Sequence, residues 1–218
     1  MLTHILLADD HQMVREGLKS LLGKETDLRI VGEAADGQTA VEMAGKLKPD
    51  VVVMDIGMPG LNGMDATSQI KAVHKSCKVI ALSMHTDRRF IVGMLRAGAS
   101  GFLLKSSAFE ELVQAIKTVR MDHDYLSPSI SRTVIEQCRQ RVPQDEQSVF
   151  SILSDRERQV LQQIAEGNST KEVAANLNIG AKTVETHRHR IMEKLGMHSV
   201  AELTKYAICE GITSREPA

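Results

Sequence analysis

Four apolar residues, Val51-Val52-Val53-Met54, run without a polar break and stop at a carboxylate, Asp55. Such a run reads as a strand buried on both faces, and a sheet of such strands needs helices on each side. The sequence supplies them. His4–Ala8, Arg29–Glu33, Lys78–Ser83 and Phe102–Leu104 are four more short apolar runs. Between and after them apolar residues recur at helical spacing: Met13, Val14, Leu18, Leu21 and Leu22; Ala40, Val41, Ala44 and Leu47; then the stretches Asp65–Val73 and Arg88–Ala97. The series closes with Leu112, Val113, Ile116 and Val119 in Ala108–Arg120. This alternation predicts an α/β domain with a doubly wound, five-stranded parallel sheet.

The residues that end the strands share one chemistry. Asp9, Asp10, Asp55, Ser83 and Lys105 all fall at predicted carboxyl ends, the edge where open α/β sheets place their ligands. Each alone is explained by a solvated polar residue at a strand end; all five in register predict one converging site. Carboxylates crowded together repel, and a hard divalent ion relieves that repulsion: Mg²⁺ takes one or two carboxylates plus phosphate oxygens. One carboxylate is then free to attack a phosphoryl group and form an acyl phosphate. Lys105 and the Ser83 hydroxyl would meet the phosphoryl oxygens, because this transfer needs charge neutralisation more than proton transfer.

Beyond Asp122-His123-Asp124 the pattern changes. Ser127-Pro128 predicts the start of a helix running to Gln140, and the polar stretch Val142–Ser148 reads as a linker. The expected organisation is a first domain over residues 1–121, a linker over 122–148, and a small all-α domain over 149–214. In the last, Ser154 and Glu157 have capping-box spacing. A second helix starts at Ser169 or Thr170, Asn178-Ile179-Gly180 makes a tight turn, and Lys182–Leu195 forms a third helix. Two short helices about a glycine-bearing turn suggest a helix-turn-helix unit, though a generic three-helix bundle fits the periodicity as well. The third helix carries Lys182, Arg188, Arg190 and Lys194 against Glu185 and Glu193. A solvated helix face explains such a run as readily as contact with nucleic acid. The net charge of -1 gives no help, so any basic surface is local.

Three dispersed cysteines without CxxC spacing predict neither a disulfide framework nor a zinc site, and favour the cytoplasm. The apolar start meets Asp9 and Asp10 too soon for a signal peptide, and no apolar run reaches membrane-spanning length.

The motifs DDH (Asp9–His11), VVMDIGMPGLNG, ALSMH (Ala81–His85) and GFLLK (Gly101–Lys105) together resemble the flavodoxin-like receiver domain of bacterial two-component response regulators. The resemblance implies that Asp55 is the phosphoacceptor. It makes Asp9, Asp10, Asp55 and the Gly57 carbonyl the Mg²⁺ ligands, Ser83 and Lys105 the phosphoryl sensors, and Phe102 the switch aromatic. Two details depart from the common pattern: Ser106 stands where many receivers have proline, and Phe102 lacks a tyrosine hydroxyl. Met84 is larger than the usual small residue beside Ser83, so it either shields an acyl phosphate or simply packs.

From Leu153 onward, LSDRERQVL, KEVAANL and KTVETHRHRIMEKLG resemble the LuxR-type helix-turn-helix domain. The two resemblances in this order mark a NarL/FixJ-type response regulator. They imply a transcription factor phosphorylated by a histidine kinase, forming a homodimer on activation and binding promoter double-stranded DNA. Glu185, Thr186 and His189 would face base edges; Lys182, Thr183, His187, Arg188 and Arg190 would meet phosphates. Val200, Leu203 and Ala207 of the final helix would form the dimer surface, exposed unless paired. No enzyme is expected beyond self-phosphorylation from small donors and autodephosphorylation. An aspartyl phosphatase would need a second aspartate where Gly57 stands, and a phosphorylation-independent regulator would not need the full acidic, serine and lysine set.

Overall fold

The computed structural model describes residues 2–84, 88–132 and 152–213. Among the described residues the chain divides into two compact units, one lying within residues 2–132 and the other built mainly from residues 152–213.

In the first unit, β1 (Thr3–Ala8), β2 (Leu28–Ala34), β3 (Val51–Asp55), β4 (Lys78–Ser83) and β5 (Gly101–Leu104) alternate with α1 (Gln12–Leu22), α2 (Gly37–Leu47), α3 (Gly63–Val73), α4 (Arg88–Ala97) and α5 (Ala108–Arg120). A short β6 (Tyr125–Leu126) follows, and the sheet order is β2-β1-β3-β4-β5-β6 with every pair parallel. The reversal between β1 and β3 creates the crevice expected of a doubly wound sheet. Every residue of β3 is buried, as its unbroken apolar run requires. Successive side chains alternate across the sheet. Ile5, Leu7, Val53, Ile80, Leu82 and Leu103 pack with Leu18 and Leu22 of α1 and with Leu112 and Ile116 of α5.

The sheet has six strands, not five. Tyr125 and Leu126 pair with Gly101 and Phe102 of β5, and two residues are too few to leave a period-2 signature. Asp122, at φ 59, turns the chain back after α5. The Ser127 amide then donates to the Phe102 carbonyl at 3.1 Å, and Ile130 is fully buried. Residues 122–132 therefore belong to the receiver-like unit and not to a linker. A helix does start at Pro128. Its continuation to Gln140 and the stretch Val142–Ser148 lie outside the described residues.

In the second unit the described helices are α6 (Asp155–Ala165), α7 (Thr170–Asn176), α8 (Ala181–Leu195) and α9 (Val200–Cys209). Capping boxes start α6 (Ser154 with Glu157) and α7 (Ser169 with Glu172), satisfying the amides that a helix leaves orphaned at its first turn. Asn178, at φ 52, makes the turn before α8, and Gly196, at φ 64, ends it. Leu153, Val160, Leu161, Val173, Val184, Ile191 and Ile212 form the core together with Leu203 and Ala207.

That core corrects the expected dimer surface. Leu203 and Ala207 are 0% exposed, because the inner face of α9 packs on its own domain. The apolar stripe of α9 is covered by α6 of the same domain. Val200, at 45% exposure, is the one of the three that remains on the surface.

Candidate functional site

The strand ends converge as the register requires. Asp55 and Ser83 are the last residues of β3 and β4, while Asp9 and Lys105 directly follow β1 and β5. Asp9, Asp55, Ser83 and Lys105 are all buried. The Lys105 amide donates to the Ser83 carbonyl at 2.8 Å, which ties the ends of β4 and β5 together. Lys105 Nζ lies 2.7 Å from Asp55 Oδ2 and 2.8 Å from Asp9 Oδ2, so one ammonium bridges two buried carboxylates. Burial first, and then the Asp9 charge, push the Asp55 carboxyl up to about 6, with Lys105 opposing both. Burial also works against the Lys105 charge, but Asp55 and Asp9 outweigh it and raise its affinity for the proton.

The loop after β3 is built to hold Asp55. Its Oδ1 accepts from the Gly57 amide at 3.3 Å. The Gly63 amide donates to the Ile56 carbonyl at 2.9 Å, and a Cβ on Gly63 would stand 2.0 Å from the Asp55 carbonyl oxygen. Only glycine permits this approach of α3 to the strand end. Buried Asn62 caps α3, accepting from the amides of Met64 and Asp65, both at 3.0 Å.

Asp9, Asp10, His11 and Asp55 each offer a ligand atom, all within 4.8 Å of one another. Three carboxylates in this space suit a hard divalent cation, and half-buried Asp10 leaves room for its waters. The site therefore fits a metal. Two contacts at this edge are not dictated by the sequence pattern, although His11 belongs to the DDH motif. Arg15 Nη1 donates to the Asp9 carbonyl at 2.6 Å, fixing the turn between β1 and α1. His11 places Nδ1 at 2.7 Å from Asp10 Oδ1 and 3.3 Å from Asp9 Oδ1. Neither contact leaves a periodic signal. Phe102 is 0% exposed, within the sheet beside Ala81 of β4. Met84, just past β4, is 72% exposed, so simple packing does not account for its size.

In the second unit, α8 turns Val184 and Ile191 inward. Lys182, Thr183, Glu185, Thr186, His189 and Arg190 are exposed, and His187 and Arg188 are half-buried. The Thr186 hydroxyl donates back to the Lys182 carbonyl at 2.9 Å, and His189 lies 3.5 Å from Glu193. A cleft of about 230 Å³ adjoins this face, lined by Ser169 and Thr170 of the α7 start, by Glu185 and Arg188, and by Val200. The α7 start was not among the expected contact residues, although the first helix of such a pair crosses the nucleic-acid backbone.

Residues 5–117 match the response regulator receiver domain, and residues 151–207 match the bacterial regulatory proteins of the luxR family. The chain is 38% identical to the oxygen regulatory protein NreC of Staphylococcus carnosus, over 94% of this chain and 96% of that protein. This chain is a two-component response regulator. The response regulator UvrY of Escherichia coli K12 is 36% identical, over 98% of this chain and 97% of its own length. Among solved structures, the RcsB response regulator of Salmonella typhimurium superposes with a TM-score of 0.66 at 26% identity, covering 94% of this chain and 96% of that one. An RcsB–DNA complex superposes at 0.59 with 27% identity, covering 94% and 98%. The response regulator thus joins a receiver domain to a LuxR-type DNA-binding domain.

Proposed function

We propose that Asp55 accepts a phosphoryl group from a histidine kinase, and that this event promotes dimerisation and binding of promoter DNA. The observation that carries the reading is the buried Asp55–Lys105–Asp9 bridge at the sheet edge. An Asp55 carboxylate oxygen attacks phosphorus, the phosphorus–nitrogen bond of the donor phosphohistidine breaks, and its electron pair returns to the imidazole, which takes up a proton. Asp9, Asp10, Asp55 and the Gly57 carbonyl would hold Mg²⁺, which when bound neutralises charge on the phosphoryl oxygens. Lys105 exchanges its bond to Asp55 for one to a phosphoryl oxygen, and the Ser83 hydroxyl donates to another. Ser83 ends β4 and Lys105 follows β5, the strand that carries Phe102 beside β4, so their movement reaches the buried ring. With no acid–base partner at Gly57, the chemistry ends at self-phosphorylation and slow autodephosphorylation, not turnover of an external substrate.

In the LuxR-type domain, Lys182, Thr183, His187, Arg188 and Arg190 contact phosphates, while Glu185, Thr186 and His189 face base edges. One small module makes few phosphate contacts and binds weakly, so a dimer on paired half-sites follows. Exposed Val200 is the surviving apolar candidate for that interface. No helix among the described residues is long and apolar enough to cross a membrane, and the protein acts in the cytoplasm, where kinase and promoter meet. The test is the solution mass with Mg²⁺, with and without a beryllofluoride phosphoryl mimic. Wild type is expected to shift from monomer to dimer and Asp55→Ala to stay a monomer; identical masses in all four samples would overturn the phospho-switch.

A further inference from the structure

Val184 and Ile191 turn one side of α8 to the core, and Glu185, Thr186 and His189 are exposed on the rest of the helix. The structure separates these three. The Thr186 hydroxyl is engaged within the helix, donating to the Lys182 carbonyl at 2.9 Å. His189 Nε2 lies 3.5 Å from Glu193 Oε1, one turn on. The Glu185 carboxylate has no hydrogen-bond or ion-pair partner among the described residues, and Arg188, which lines the same cleft, does not pair with it. The helix begins at Ala181, so Glu185 falls in its N-terminal half, the part of a recognition helix that reaches base edges. An unpaired carboxylate on a surface that approaches a polyanion is repelled unless the DNA offers it a donor. Phosphates offer none. In the major groove the donors are the N4 amine of cytosine and the N6 amine of adenine. Each has an acceptor of its partner base on one side. On the other side adenine presents the N7 acceptor, which repels a carboxylate, while cytosine presents only a C–H group.

We infer that Glu185 selects a G·C pair in each operator half-site by accepting a hydrogen bond from the N4 amine of its cytosine. The inference rests on the reading of α8 as the DNA-reading helix and extends it to the base that is read. Glu185 then acts on specificity more than on affinity. Its charge weakens binding wherever no amine meets it, so it rejects wrong sequences as well as holding the right one. The attraction that brings the carboxylate into the groove comes from the exposed cations of the same helix, Lys182 and Arg190, through the phosphates.

The experiment uses the full chain with Mg²⁺ and beryllofluoride, selecting duplexes from a randomised pool and sequencing those that are bound. Wild type is expected to enrich a motif in which one position of each half-site prefers cytosine about tenfold over the other bases. Glu185→Gln is expected to move that position to adenine, whose N6 amine and N7 match an amide side chain, and to leave the other positions as they were. Such a change of base at one position is a readout that misfolding cannot produce. Glu185→Ala is expected to lose the preference there and to bind unrelated DNA at least as tightly as wild type, because a negative charge has gone. A motif unchanged in Glu185→Gln, or an equal loss on operator and unrelated DNA in Glu185→Ala, overturns the inference and leaves α8 as the DNA-reading helix. A wild type that enriches no motif at all removes that reading, and the inference with it.

Discussion

The sheet edge of the receiver and the outer face of α8 both carry clustered charge, yet they hold it under opposite conditions. At the sheet edge, Asp9, Asp55 and Lys105 are buried and touch one another. On α8, Lys182, Glu185, His189 and Arg190 stand in water. Buried charges interact strongly and must be paired, so the site behaves as one unit. Exposed charges are screened and act almost independently. In the first arrangement changing one charge alters the others; in the second each charge can change with little effect on its neighbours.

The strongest way to break the contrast is Lys105→Met. It leaves two buried carboxylates facing each other without a counter-charge, at a cost of about 3 kcal/mol near pH 7.5 in metal-free buffer, read by urea unfolding of the receiver. An unchanged midpoint would mean that the site is not electrostatically coupled. Gly63→Ala comes next. Its new methyl group would lie 2.0 Å from the Asp55 carbonyl oxygen, so the loop must move, costing about 2 kcal/mol. A variant as stable as wild type with normal beryllofluoride binding would show that α3 can retreat freely.

The two units also differ in the sign of their response to acid. The folded Asp55 carboxyl is raised from 3.8 to about 6, so the folded state holds its proton more tightly than the unfolded state. Through this group, metal-free receiver stability falls as pH rises from about 4 to about 6. In the LuxR-type domain, burial opposes the Glu157 charge, but Lys194 at 2.7 Å and the bonds from Ser154 outweigh it and hold the carboxyl below its ordinary 4.5. That contribution is complete above 4.5 and is lost as pH falls through the lower folded value. Lys194→Met should therefore lower stability at pH 7, and the difference should shrink as pH falls below 4.5. A difference that stays constant as the pH is lowered would assign the loss to packing.

The sequence made the buried region more legible than the exposed one, for the same physical reason. Unbroken strands such as β3 and the polar residues at their ends are dictated by burial, so residue type alone located Asp55, Ser83 and Lys105. Burial has no such grammar for β6, whose two residues are too short to show a period, or for His11 and Arg15, whose roles depend on how one turn folds. The final helix misled for a related reason. An apolar stripe states that something must cover it, but not whether the cover is another chain or, as for Leu203 and Ala207, the domain's own core.

The smallest expected effect sharpens the exposed side of the comparison. If α8 acts through separate phosphate contacts, Lys182→Ala removes one of them and nothing else, since its side chain lies in water and its carbonyl bond to Thr186 belongs to the backbone. Affinity for operator and for unrelated DNA should then fall by the same few-fold factor, and the slope of log affinity against log salt should shrink by about 0.9 per site, which titrations across a salt series would read. Arg190→Ala should repeat that change independently, and the double variant should show the sum. A loss confined to operator DNA would instead place Lys182 among the base-reading residues. A double variant weaker than the sum would show that these exposed charges are coupled after all, as those at the sheet edge are.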